Sequence, residues 1–257
     1  MHADPQVVVL FPGAWGNLSS KYIDFWMANP EKAFRRFFGS HIKIIKIVYS
    51  GSSMDEIVQG AFVQLQREKV TSAIAFGYSL GVSIMALACS RRPDLFTHCI
   101  KFEGDDDGIG WAGYARGMCA LIVPFTIALF TGWMRITSKQ AVRRVFFTGE
   151  RLQDATERQV ELVMTYLGLN AIYPLLELAF PPMKRRVPSI RVPTASILGG
   201  KDIFYRKIPE RPNQKVYFFP HWGHGAILEY TFVEQAIWNA LIDFGFTPET
   251  ADEPTQH

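Results

Sequence analysis

Three residues of this 257-residue chain could together make an activated nucleophile: Ser79, Asp202 and His224. A serine hydroxyl is a poor nucleophile near neutral pH and needs a base, usually a histidine oriented by a carboxylate. Ser79 is the centre of Gly77-Tyr78-Ser79-Leu80-Gly81, a GxSxG pentapeptide. The apolar run Ala73 to Phe76 precedes it, and the apolar segment Val82 to Ala88 follows. The order is therefore buried strand, tight turn, buried helix, which lifts one serine clear of a sheet. The bland alternative is a glycine-rich strand–helix turn with no chemistry.

Asp202 follows the strand-like Thr194 to Leu198 and the turn Gly199-Gly200-Lys201. A carboxylate just past a buried strand can reach an imidazole while staying ionised; its bland alternative is a solvated turn residue. Asp105, Asp106 and Asp107, after the preceding strand, are rival acids, although a run of three more often marks a solvated loop or helix cap. Of six histidines, His221 and His224 follow the last strand, Lys215 to Phe219. Flanking glycines favour His224 as base, with His221 kept as the alternative. His41 and His98 are expected to precede strands, at the wrong end of a sheet. An oxyanion hole needs backbone N–H donors. The spacing offers Leu80, at the start of the helix, and Ala14, in the glycine loop after the first strand, with Trp15 as a pocket wall.

The elements that must position these residues alternate. Strands are expected at Val7 to Phe11, Ile42 to Tyr49, Ala73 to Phe76, Cys99 to Phe102, Thr194 to Leu198 and Lys215 to Phe219. Helices are expected at Lys21 to Phe38, broken near Pro30, at Met54 to Lys69, after Ser79, and at Ile227 to Phe244. Between Asp105 and Arg191 only helical patterns occur: Trp111 to Met134, Ser138 to Phe147, Asp154 to Leu167 and Ala171 to Phe180. Strand–helix alternation implies an α/β fold, a mainly parallel sheet covered on both faces. The expected organisation is a core of residues 1–104 and 192–257, with a helical cap, 105–191, inserted above the carboxyl ends of the strands, where ligands bind.

Bulk composition limits the alternatives. A 48% hydrophobic content supplies a core, and 27 basic against 24 acidic residues give a net charge of +3. That balance, with no basic run interleaved with aromatics, argues against nucleic acid. Cys89, Cys99 and Cys119 lie in apolar surroundings and are odd in number, so they read as core residues of a reducing compartment. No metal site or cofactor is expected. The amino-terminal stretch lacks the basic flank of a secretory signal, which favours a cytoplasmic location. Gly117 to Met134 carries no charge but is interrupted by Pro124, and a buried or lid-forming helix pair is preferred over a membrane span.

The Gly77–Gly81 pentapeptide, the Gly199-Gly200-Lys201-Asp202 turn and the Gly223-His224-Gly225 loop together resemble the α/β-hydrolase superfamily, over nearly the whole chain. Phe11-Pro12-Gly13-Ala14 is similar to the corresponding loop of type II thioesterases, which clear carrier proteins. Many esterases have His-Gly there instead, and those thioesterases usually carry histidine where this chain has Tyr78. The resemblance implies a serine hydrolase of esterase or thioesterase type, working through an acyl-enzyme on Ser79 with Ala14 and Leu80 as oxyanion donors. Dehalogenases and epoxide hydrolases of this fold use aspartate as nucleophile. A non-hydrolytic lyase, cyclase or acyltransferase of the same fold, or a small-ligand receptor, is the alternative.

Substrate choice would be written in the cap. Trp111 and Phe125, with Trp15 and Tyr78, are the expected pocket residues for a largely apolar acyl group, although most cap aromatics would simply pack between helices. Lys184, Arg185, Arg186 and Arg191 form a basic cluster. A solvated face is the plain reading; an acidic acyl-carrier protein or an anionic membrane surface is the sharper one.

Overall fold

Six parallel strands in the order β2-β1-β3-β4-β5-β6 carry the chain. The computed structural model describes residues 7–13, 20–51, 53–105, 139–140, 142–143, 146–147, 157–166, 190–202, 211 and 213–249. The strands are β1 (Val7–Phe11), β2 (Lys43–Lys46), β3 (Ala73–Tyr78), β4 (Phe96–Phe102), β5 (Thr194–Gly199) and β6 (Gln214–Phe219). The helices are α1 (Ser20–Phe38), α2 (Met54–Arg67), α3 (Leu80–Arg91), α4 (Glu157–Tyr166) and α5 (Tyr230–Asp243). Helices α1 and α5 pack together, as do α2 and α3, so the sheet is layered by helices. Strands β3 and β5 are buried along their length, so β3 reads as a nearly continuous apolar run and even Thr194 and Ser196 of β5 are enclosed.

Topology selects the working edge. From β1 the chain moves outward to β2, then crosses back over β1 to β3. Crossovers therefore leave in opposite directions between β1 and β3, the switch point beyond whose carboxyl ends such sheets bind ligands. Gly13 and Ser79 lie at those ends. A Cβ placed on Gly13 would be 3.5 Å from Ser79 Cβ, so the loop after β1 runs directly beside the serine.

Several sequence expectations shift. Helix α1 continues through Pro30 instead of breaking there. The lost hydrogen bond and the steric clash cost about 3 kcal/mol. Trp26, Met27, Ala33 and Phe34 are all buried on that helix. Burying such side chains is worth about 1.5–3 kcal/mol each, which outweighs the proline. Strand β2 is shorter than expected, because only the span opposite Val7 to Leu10 has a partner, with one further bond from Ile47 N–H to Leu10 O at 2.9 Å. Strand β4 begins earlier, at Phe96, so His98 lies inside it rather than before it. There its ring packs on Phe244 and Phe246, with centroids at 4.7 and 4.9 Å. The last helix is preceded by a separate 3-10 turn, Ala226–Leu228.

Within the expected cap, the described residues between 139 and 146 are helical and α4 lies where a helix was expected. Lys139 and Arg143 pair with Glu157, and Lys139 also with Glu161, joining these segments. Most of the expected cap, including Trp111, Phe125, Cys119 and the Lys184–Arg186 cluster, lies outside the described residues, and so do Ala14 and Trp15. No described helix is long and apolar enough to cross a membrane. The 117–134 run is also outside them.

Candidate active site

The turn between β3 and α3 is bent sharply. Ser79 has φ 54° and ψ −124°, a backbone conformation that non-glycine residues rarely hold. Strain of this kind costs on the order of 1–3 kcal/mol and persists only where neighbours enforce it. Here the Ser79 N–H donates to Phe102 O at 3.0 Å, and Ser79 O accepts from the Val82 N–H at 3.0 Å. Helix α3 then starts at Leu80, whose amide sits at the positive end of the helix dipole. Gly81 has no room for a side chain, because a Cβ there would lie 2.2 Å from Phe11 O and 2.3 Å from Pro12 O. Both obstacles are main chain and cannot swing away. Gly81→Ala is therefore expected to destabilise the fold by about 2–4 kcal/mol, seen as a lower Tm, by forcing β1 and α3 apart.

The candidate acid and base, Asp202 and His224, are held on adjoining loops. Gly200 N–H donates to Phe219 O at 2.8 Å and Lys201 N–H to Trp222 O at 2.9 Å, so the Gly199–Asp202 turn is pinned to the histidine loop by main chain. Trp222 stacks on Phe232 of α5, with centroids at 4.5 Å, and anchors the other side of that loop. Asp202 Oδ2 lies 2.9 Å from His224 Nδ1, and His224 Nε2 lies 2.9 Å from Ser79 Oγ. With Asp202 accepting at Nδ1, the Nε2 lone pair is left to accept the serine hydroxyl. Asp202 and His224 are both buried, while Ser79 is partly exposed. The three residues singled out from sequence thus form one continuous hydrogen-bonded chain across three strand ends.

The rivals lie elsewhere. His221 is exposed. Asp105 faces Arg211 at 3.4 Å, and its carbonyl accepts from Ser83 Oγ at 2.9 Å. Tyr78, expected on a pocket wall, is 3% exposed. Its ring stacks on His224 at 5.4 Å and on Trp26 at 5.6 Å, and its hydroxyl donates to His224 O at 2.8 Å. Tyr78 thus braces the imidazole from below. Phe146 approaches from the segment between β4 and β5, 6.2 Å from the His224 ring, and its carbonyl occupies the place a Gly225 side chain would take. Sequence reading missed this contact, since one apolar residue in an amphipathic helix carries no signal of what it covers.

It also passed over Glu103. This residue directly follows β4, is 1% exposed and has φ 49°. Its signal was a lone carboxylate between a buried strand and Gly104. One donor atom each from Glu103, Asp202 and His224 lie within 4.8 Å of one another. Both nitrogens of His224 are already engaged, by Asp202 and Ser79. The cluster thus offers a cation carboxylates without a free imidazole lone pair, a poor donor set for a transition metal.

A parallel sheet with a strained serine after β3, an acid after β5 and a histidine after β6 is the α/β-hydrolase fold. Solved structures of that fold match almost the whole chain at low sequence identity. MGS-M2, an α/β hydrolase from a Medee basin deep-sea metagenome library, is 19% identical with a TM-score of 0.61, covering 98% of this chain and 94% of its own. A serine hydrolase from Cycloclasticus zankles is 15% identical with a TM-score of 0.59, covering 94% and 90%. The Bacillus megaterium epoxide hydrolase is 13% identical with a TM-score of 0.58, covering 93% and 94%. No protein-family profile and no curated protein matches the sequence.

Proposed function

We propose that this chain is a serine hydrolase that cleaves a carboxylic ester or thioester with a largely apolar acyl group. The observation that carries the reading is the pair of 2.9 Å contacts linking Ser79 Oγ to His224 and His224 to Asp202. His224 takes the Ser79 proton as the oxygen attacks the acyl carbon. The alcohol or thiol leaves with that proton, giving an acyl-serine. Water, deprotonated by the same imidazole, then releases the acid and restores the hydroxyl. Charge on the tetrahedral oxygen would fall near the Leu80 amide at the start of α3, with Ala14 as the second proposed donor.

Chemistry favours acyl transfer over the epoxide opening for which one structural neighbour is named. A serine oxygen that opened an epoxide would be left as an ether, which water activated by histidine does not cleave. An acyl-serine is an ester and turns over. The Ser79 hydroxyl therefore supports ester and thioester substrates.

The test is a panel of acyl esters and acyl thioesters of graded chain length, including a carrier-bound acyl chain, together with labelling by a serine-directed fluorophosphonate. Hydrolysis is expected to rise from acetyl to medium-chain acyl groups, as an apolar cap pocket would require. A flat or falling dependence would remove the apolar pocket from the proposal. Product that retains the acyl group on another acceptor, without free acid, would move the reading to an acyltransferase.

A further inference from the structure

Beside the Asp202–His224 pair lies a second carboxyl group for which the acyl-transfer scheme has no task. Glu103 is fixed at the carboxyl end of β4 by its own N–H, which donates to Ile197 O at 2.9 Å. Its backbone is in the left-handed region, as Ser79's is at the end of the neighbouring strand. Such strain concentrates where geometry is enforced for function. The side chain is fully enclosed, and the Gly199 turn packs against it, a Cβ there falling 3.3 Å from Glu103 Oε1.

Neither Glu103 oxygen receives a hydrogen bond from a described residue. The Ala226 amide leans towards the carboxyl but is committed to Gly223 O at 3.1 Å. Among the described residues, the groups that could carry charge against it are Asp202 and His224, each with an atom within 4.8 Å. Among the described residues no cation pairs with it: Arg211 faces Asp105 and Lys101 Nζ donates to Gln214 at 3.1 Å. As an anion, Glu103 would be an enclosed charge beside a second carboxylate, with only the shared Ala226 amide turned towards it among the described residues. Like charges in a dry site are not both ionised. As an acid it has one O–H, and the acceptor beside it is Asp202, with an oxygen within 4.8 Å of one of its own.

We propose that Glu103 is a positioning residue, held as a neutral carboxylic acid that donates its proton to Asp202 and so aims that carboxylate at His224 Nδ1. The proposal rests on the triad reading given above. Glu103 does not touch the substrate; it acts through Asp202. The direction of its titration agrees, since burial, and then the Asp202 carboxylate beside it, push the Glu103 carboxyl well above its ordinary range.

One consequence is independent of catalysis. A carboxyl that keeps its proton in the folded chain but loses it in the unfolded chain, at about pH 4.3, makes stability fall as pH rises through that window. Glu103→Gln removes this titration while keeping a neutral donor of the same shape. The Tm of the glutamine variant minus that of the wild type should therefore grow between about pH 5 and about pH 8. A difference that is flat, or that shrinks with pH, means an ionised Glu103 and overturns the proposal. In kinetics, Glu103→Leu should lower kcat/KM at least about tenfold, and Glu103→Gln should recover most of that loss. A leucine variant as active as wild type overturns the positioning role. Should the leucine variant not fold, the glutamine variant's pH-dependent Tm still decides whether Glu103 is neutral. Full activity of Ser79→Ala would instead sink the hydrolase reading, and the Tm difference would stand or fall separately.

Discussion

Ser79→Ala is expected to lower kcat/KM on acyl esters by about 10³–10⁶ and to abolish fluorophosphonate labelling, with the fold intact. The size follows from what is removed. Without Oγ no acyl-enzyme forms, and what survives is the binding and oxyanion stabilisation that could assist direct attack by water. Those parts, the Leu80 amide and the loop beside Gly13, are main chain and do not depend on the hydroxyl. Stability should barely move, because alanine keeps the Cβ and the strained turn is held by backbone bonds to Phe102 and Val82. A Tm within about 2 °C of wild type would confirm that the loss is chemical and not structural. Retention of more than about one per cent of the wild-type rate, with labelling unchanged, would place the nucleophile elsewhere.

The same serine illustrates how much of the fold was legible in the sequence. Period and composition located each central strand because those strands are buried on both faces and need no alternation to be seen. The start of β4 was missed because Thr97 and His98 interrupt the apolar run, and only the packing of His98 against Phe244 and Phe246 explains a histidine there. Pro30 misled for a related reason: its cost is local and visible, whereas the buried face that outweighs it is tertiary.

At the site, chain order after successive strands was enough to choose Asp202 and His224, since the topology of a parallel sheet brings consecutive carboxyl ends to one edge. Contacts across that edge were not legible. Tyr78 looked like a pocket residue because it neighbours the serine in sequence, yet strand alternation sends its ring under His224. Glu103 drew no notice in the sequence, two residues before three aspartates. Only the register of β4 against β5 brings it beside Asp202, and register between distant segments leaves little trace in composition.

The acid itself supplies the other large effect. Asp202→Asn should lower kcat/KM by about 10³–10⁴ while leaving Tm close to wild type. The turn that carries residue 202 is held by the Gly200 and Lys201 amides, neither of which involves the side chain, so the amide will sit where the carboxylate sat. What changes is the proton on His224. A carboxylate can only accept, which holds the hydrogen on Nδ1 and leaves Nε2 free to take the serine proton. An asparagine can turn its NH2 towards Nδ1, which moves the ring hydrogen to Nε2 and blocks that transfer. It also withdraws the negative charge that stabilises the imidazolium formed as Ser79 attacks. If the three residues work as one unit, the losses cannot add. The double variant Ser79→Ala, Asp202→Asn should then be no slower than Ser79→Ala alone, because an oriented base has nothing left to deprotonate. Steady-state kinetics on the two single variants and the double variant checks this. A double variant slower by the product of the two single losses would mean that Asp202 acts on something other than Ser79 through His224.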